Sequence, residues 1–205
     1  QPGRIQHTVG FPMDAATYGG SFLYHLDQDR VYVGFVVGLD YADPRFQPFE
    51  AYQQFKNHPS IKALLDGGEL VAYGARTIIE GGWQSMPTLE MPGAMLVGDA
   101  GGTLNVPKIK GVHQAVRSGA LAAQHLAETG TSQGFDQRWR TSPGGRELYK
   151  VRNIRPGFKY GMWMGMLNGA LETVTAGHSP WTLDHHADHA ATQRLDQYAS
   201  PDRGW

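Results

Sequence analysis

The stretch Ala94-Met-Leu-Val-Gly-Asp-Ala-Gly-Gly-Thr-Leu-Asn-Val-Pro-Lys-Ile-Lys-Gly111, with the small-residue run Val112 to Glu128 behind it, decides how this chain is read. Ala94 to Val97 is a short apolar run and reads as a buried strand. Gly98-Asp99 closes it, and a glycine-bearing turn leads into a helix. That order of parts suits a phosphorylated cofactor. A carboxylate at the strand end accepts ribityl or ribose hydroxyls, the glycines let the backbone come close, and the next helix N-terminus offers free N–H groups to an anion. A helix over 112–126 places Ala115, Val116, Gly119, Ala122, Ala123 and Leu126 on one face, suited to close approach to a sheet. A plain strand–turn–helix of any α/β core is the competing reading, because Gly-Asp after a strand is common by chance.

Composition bounds what surrounds this stretch. The 205 residues, 40% hydrophobic and 18% charged, describe one or two globular domains. A formal net charge of -1 without a recurring basic patch argues against nucleic acid. With no cysteine, the sequence can form no disulfide, thiolate zinc site or iron–sulfur ligand of its own. No run reaches the roughly 18–20 apolar residues of a membrane span. The chain opens on Gln1 rather than Met, and the expectation is a piece of something longer.

Before the central stretch, Arg4 to Gly10 reads as a strand and Thr17-Tyr18-Gly19-Gly20-Ser21 as a glycine turn. Ser21 to Leu26 and Val31 to Gly38 form a β-hairpin about Asp27 to Arg30. The second hairpin strand is apolar almost throughout, which predicts burial on both faces or a face given to an apolar ligand. A helix starts near Pro48 with Phe49, Tyr52 and Phe55 along one side, read as core, and a short helix follows over Ile61 to Leu65. Leu70 to Arg76 reads as a further strand, and Glu80 to Ser85 as another paired-glycine turn.

After it, Thr129 to Gly145 reads as a surface connection with a short helix around Phe135 and Trp139, and Arg155-Pro156-Gly157 as an interruption. Phe158 to Leu171 is the most apolar stretch, with Gly161, Gly165 and Gly169 spaced by four. It is too short to cross a bilayer. It is either a buried helix, which its residues alone favour, or an interfacial one offering Met162, Trp163, Met164, Met166 and Leu167 to lipid. His185, His186 and His189 lie close together, but a solvated surface explains them better than a metal, so no metal site is assigned. There is no Gly-x-Gly-x-x-Gly fingerprint, no nucleophile elbow and no paired carboxylate set. Binding residues without an acid–base set fit redox chemistry carried by a cofactor, and no catalytic side chain is assigned.

Several longer strings are more specific than these patterns. They include His7 to Asp14, Thr17 to Leu26, Gly34 to Tyr41, Ala72 to Arg76, Glu80 to Ser85, Leu104 to Gly111, Leu148 to Pro156 and Pro180 to Leu183. In these the chain resembles the electron-transfer-flavoprotein:ubiquinone oxidoreductase family, in family order along almost its whole length. The resemblance implies a mixed α/β (α+β) fragment of an FAD-binding, glutathione-reductase-like fold with an inserted ubiquinone-binding domain. Residues 1–85 would be most of the ubiquinone-binding domain, 86–130 the second FAD-binding segment, and 131–205 a connection, a membrane-facing helix and the start of a C-terminal region. The family's N-terminal glycine fingerprint and C-terminal cysteine cluster lie outside these residues.

By the same resemblance, Gly98, Asp99, Ala100, Gly101, Gly102, Leu104, Asn105, Val106, Pro107, Lys108 and Gly111 would contact FAD, with Lys108 and Lys110 near phosphate charge. Tyr18, Gly19 and Gly20 would meet the ubiquinone head group, although a plain hairpin turn explains the glycines without it. Met162, Trp163, Met166 and Leu167 would face the membrane. The implied activity of the full-length protein is electron transfer from reduced electron-transfer flavoprotein, through FAD and a 4Fe-4S cluster, to ubiquinone. Its place would be monotopic on the matrix face of the mitochondrial inner membrane or the cytoplasmic face of a bacterial membrane. Two alternatives are kept: a geranylgeranyl-reductase-type flavoprotein, and a non-catalytic membrane-docking module with a degenerate flavin site.

Overall fold

Turn chemistry and strand pairing build the first part of the chain. Three antiparallel strands, β1 (Ile5–Thr8), β2 (Gly19–His25) and β3 (Val31–Val37), lie in that order. Gln28 and Asp29 take left-handed backbone angles in the β2–β3 turn, and Leu26 N–H donates to the Arg30 carbonyl at 2.8 Å. The register Ser21↔Phe35, Leu23↔Val33 and His25↔Val31 puts Leu23 on the face covered by helices α1 (Pro48–Lys56) and α2 (Pro59–Leu65). Leu23, Phe55 and Ile61 form the core there, with Val33, Phe35 and Tyr52 against it. The computed structural model describes residues 2–198, and these divide into two compact units, 2–73 with 186–198 and 74–185. The returning segment is tied into the first unit by Gln193 N–H to the Ala42 carbonyl at 2.9 Å and by Thr192 Oγ1 to the Tyr41 carbonyl at 3.1 Å. It ends in the one-turn helix α8 (Leu195–Tyr198).

Three expectations for this half are corrected. β3 is half-buried rather than buried on both faces, which leaves the other expectation, a face given to an apolar ligand. Phe49 is 66% exposed, because six residues at about 100° each bring it roughly 120° away from Phe55 on the helix. Leu70 to Arg76 forms no strand: Tyr73 is 94% exposed, and the run has no ladder partner among the described residues. Strand propensity needs a neighbouring strand to act on.

The second unit is mostly helical: α3 (Val112–Thr129), α4 (Phe135–Thr141), α5 (Pro143–Lys150), α6 (Ile154–Gly157) and α7 (Met162–Val174), beside a two-stranded ribbon of β4 (Glu90–Met91) and β5 (Ala94–Met95). Gly130 in the left-handed region ends α3, and the Ser142 hydroxyl caps α5 by accepting from Gly145 N–H. Phe135, Trp139, Leu148, Leu89, Met86 and Ala122 make its core. The segment expected to be a surface connection therefore supplies the two largest core side chains, Phe135 and Trp139, both fully buried. Pro156 does not interrupt a helix but sits in the first turn of α6, where no intrahelical N–H is needed.

The central stretch also differs from expectation. β5 is two residues long, and Leu96 and Val97 beyond it are exposed, so Ala94 to Val97 is not a buried strand in this chain. Of the six residues expected on the sheet-facing side of α3, only Ala122 is buried; Val116 is 68% exposed. The buried stripe is Gln114, Ser118, Ala122 and His125, because α3 packs on α4 and α5 rather than on a sheet. The fold is thus a mixture of helices and small antiparallel sheets.

Candidate functional site

Residues 98–111 form one continuous cradle ahead of α3. Gly98 takes φ +64°, its N–H donates to Ser118 Oγ at 2.8 Å, and a Cβ there would meet the Ala115 Cβ at 3.4 Å. The left-handed backbone angle, more than the space, favours glycine here. One tight turn over Gly98–Gly101 follows, leaving Asp99 and Ala100 exposed and Gly101, Gly102 and Thr103 buried. The Thr103 hydroxyl has no hydrogen-bond partner among the described residues.

The loop then closes on itself. Asn105 and Lys110 exchange backbone hydrogen bonds of 3.0 and 3.3 Å, and the Asn105 side-chain oxygen accepts from Lys108 N–H at 3.4 Å. Val106 is buried, while Pro107 and Lys108 are exposed. Leu104 packs beside Gly111, the residue before α3. No side chain caps that end of α3, so its first-turn N–H groups are free for an acceptor.

One carboxylate organises the neighbourhood. Glu147 on α5 accepts from the Asn105 side chain and from Lys108 Nζ, each at 2.8 Å, and from Arg117 at 3.3 Å; His113 Nε2 lies 3.4 Å away. Burial opposes its ionisation, but the hydrogen bonds from Lys108, Asn105 and His113 and the charge of Lys108 prevail. The carboxyl falls from 4.5 to about 2. Lys108 is therefore paired within the protein. On the other side of the loop, burial pushes the Glu80 carboxyl up, the charge of Arg155 draws it back, and that of Asp99 raises it further. A narrow cleft beside them is lined by Gly82, Trp83, Leu104, Val106, Pro107 and Arg155.

A ligand with hydroxyls and anionic or electron-rich oxygens fits this cradle. Among the described residues Asp99 is an exposed acceptor, Thr103 is a buried hydroxyl without a partner, and the first amides of α3 have no side-chain cap. Glu147, His113 and Arg117 were not singled out in the sequence. The available signal was that Glu147 is the sole acidic residue between Asp136 and Glu172, in a segment rich in arginine and lysine.

Tyr18, Gly19 and Gly20 belong to the first unit. The glycines are not a turn but the first two residues of β2, opposite Val37 and Val36. A Cβ on Gly19 would lie 2.2 Å from the Val36 carbonyl oxygen, and one on Gly20 would lie 2.6 Å from that of Thr8. Close approach within the sheet requires glycine at both. The Tyr18 carbonyl accepts from Gly38 N–H at 2.7 Å.

Met162, Trp163, Met166 and Leu167 all stand exposed on α7, Trp163 at 75%. Gly165 is the buried glycine of that helix, packed under the Phe158 ring. No helix among the described residues is long and apolar enough to cross a membrane. His186 lies 3.5 Å from Asp40 in the first unit, and His185 closes the second; no group of three potential metal ligands is found among the described residues.

A chain of mixed helices and small sheets is the class this fold defines, and its residues 1–78 match the family described as ETF-QO, ubiquinone-binding. The chain is related to the electron transfer flavoprotein-ubiquinone oxidoreductases. It is 45% identical to the mitochondrial electron transfer flavoprotein-ubiquinone oxidoreductase of Oryza sativa subsp. japonica, over 98% of this chain and 37% of that protein. The same-named proteins of Homo sapiens and Arabidopsis thaliana are 46% and 47% identical over 90% and 93% of the chain, which covers 33% and 31% of them. The chain spans about a third of the length of these relatives.

Proposed function

We propose that this chain supplies the quinone-binding domain and one flavin-binding segment of an oxidoreductase that takes electrons from reduced electron-transfer flavoprotein and passes them to ubiquinone. The match of residues 1–78 to a ubiquinone-binding family carries this reading. Residues 1–85 then form the quinone-binding domain, 86–130 the flavin segment and 131–205 the connection and membrane-facing helix. Tyr18, Gly19 and Gly20 meet the quinone head group through backbone and ring.

In this reading the fold of the flavin part is glutathione-reductase-like, completed by residues outside the chain. Gly98 to Gly102, Leu104 to Lys108 and Gly111 hold FAD: Asp99 accepts from its hydroxyls, the buried glycines admit its chain, and the α3 amides face its electron-rich oxygens. Bound there, FAD supplies a carrier able to take up and release single electrons. This chain's residues orient it, exclude water and need no acid or base for electron transfer. With no cysteine in the sequence, none of these residues ligates a cluster by thiolate. The 4Fe-4S cluster of the proposed enzyme is held elsewhere. α7 rests in the interface of the respiratory membrane through Trp163 and its apolar neighbours, on the mitochondrial matrix face or the bacterial cytoplasmic face.

The test uses the purified full-length protein, assayed for bound flavin and for ubiquinone reduction by reduced electron-transfer flavoprotein. A yellow protein that reduces quinone supports the proposal. A colourless protein without that activity overturns it.

A further inference from the structure

We infer that Glu147 is the positioning residue of the candidate flavin loop, holding Asn105 and Lys108 against His113 and Arg117 of α3 so that the cradle keeps its shape. The inference rests on the proposed reading of residues 98–111 as a flavin segment. The carboxylate reaches the loop through Asn105 and Lys108, each at 2.8 Å, and α3 through Arg117 at 3.3 Å and His113 at 3.4 Å. It does so from a fixed base, because its neighbour Leu148 is buried in the core and Ser142 caps the helix that carries both.

The outer part of the loop stands in solvent. Pro107, Lys108, Ile109 and Lys110 are exposed, and Ile109 is held at φ +52°, an uncommon angle for a β-branched residue. The Asn105–Lys110 bridge closes the loop on itself but ties it to nothing beyond. Leu104, Asn105 and Val106 pack its base, and the Glu147 contacts are the ion pair and hydrogen bonds that tie it to α5. They also neutralise cations that would otherwise repel one another beside the positive end of α3. The depressed carboxyl, at about 2, keeps this anchor ionised at physiological pH.

Charge alone and positioning predict opposite signs. Glu147→Gln removes a negative charge beside three cationic or potentially cationic side chains, and by charge alone it would tighten binding of an anionic cofactor or leave it unchanged. By positioning, the loosened loop weakens it. The experiment reconstitutes full-length apoprotein with FAD and measures the dissociation constant by flavin fluorescence, together with the visible circular dichroism of the bound flavin. Glu147→Gln, Glu147→Ala and Glu147→Asp are compared with Asp99→Ala as a control within the cradle. The expected result is weaker FAD binding by about tenfold and an altered flavin signal in Glu147→Gln and Glu147→Ala, with substantial recovery in Glu147→Asp. If Asp99→Ala weakens FAD while Glu147→Gln and Glu147→Ala bind as tightly as the parent or more so, the inference falls and the flavin reading stands. If Asp99→Ala also binds FAD unchanged, the reading falls and takes the inference with it.

Discussion

Replacing Arg152 by lysine tests whether the return of the chain after α7 is held by the geometry of one guanidinium rather than by its charge. Arg152 is 4% exposed and uses every donor it has. Nε donates to Thr182 Oγ1 at 3.0 Å, Nη1 to the Tyr149 and Gly177 carbonyls at 3.0 Å each, and Nη2 to those of Ser179 and Trp181 at 2.6 and 2.9 Å. The guanidinium also lies 4.0 Å from the Tyr149 ring centroid. Five N–H groups meet five acceptors, so residues 177–182 are pinned by a planar fork that lysine cannot reproduce. Lysine has three donors and leaves at least two acceptors unpaired. An acceptor left bare in a buried setting costs about 1–3 kcal/mol, the Gly177 and Ser179 carbonyls being the buried ones, while water recovers part of the rest. The expected destabilisation is about 3 kcal/mol. With a urea dependence of about 2 kcal/mol/M, the midpoint falls by about 1.5 M. Tryptophan fluorescence reports it, since Trp83, Trp139, Trp163 and Trp181 all lie in the unit concerned. A midpoint unchanged within about 0.3 M, on that urea dependence, would show that charge or packing, not the fork, holds the segment.

Three further outcomes are expected. The Glu147 carboxyl, lowered from 4.5 to about 2, stabilises the fold above its unfolded value, and that contribution is lost as pH falls from about 4.5 towards 2. Its ceiling of about 3.4 kcal/mol shrinks to about 1–2 kcal/mol, because Lys108 and Arg117 keep more than half their side chains in water. Glu90 and Glu128 are also lowered and titrate in the acid range, so the measurement is the difference in acid destabilisation between parent and Glu147→Gln; equal slopes would refute it. Gly19→Ala places a Cβ 2.2 Å from the Val36 carbonyl and is expected to cost more than about 3 kcal/mol by denaturation, with a loss below about 1 kcal/mol contradicting the packing argument. Trp163→Asp, at a position 75% exposed, is expected to leave stability within about 0.5 kcal/mol and to weaken liposome binding by at least about tenfold; unchanged liposome binding would remove α7 from the membrane.

The elements legible in the sequence were those whose signals are local. Two runs of β-branched and aromatic residues about a polar turn locate the β2–β3 hairpin, Pro48 marks the start of α1, and glycines bracket α3 at Gly111 and Gly130. The cradle at 98–111 was legible as a loop with an uncapped helix behind it. Partners distant in sequence were not. Glu147 reaches Asn105 across 42 residues and Arg117 across 30, and no spacing rule connects them. Gly19 and Gly20 illustrate the converse: their pairing suggested a turn, whereas the sheet needs them because Val36 and Thr8 approach too closely for a side chain. Loss of quinone binding in a Gly19 variant therefore has a structural cause to separate first.

α3 shows why a sequence pattern and a packed chain can disagree without either being in error. Its buried stripe is mostly polar and bonded in part to its own chain: Ser118 bonds Gly98 N–H and the Ala115 carbonyl, and His125 bonds the Gln133 carbonyl. Its apolar stripe, Val112, Val116 and Leu126, is at the surface, as are Leu96 and Val97. The face read from the periodicity, Ala115, Val116, Gly119, Ala122, Ala123 and Leu126, shares Val116 and Leu126 with this stripe, and only its Ala122 is buried. A helix that spends its polar side on its own chain leaves its apolar side open to another surface. In the proposed reading that surface is the sheet of the flavin-binding fold, supplied by residues outside this chain, and the cradle at 98–111 lies at the seam between them.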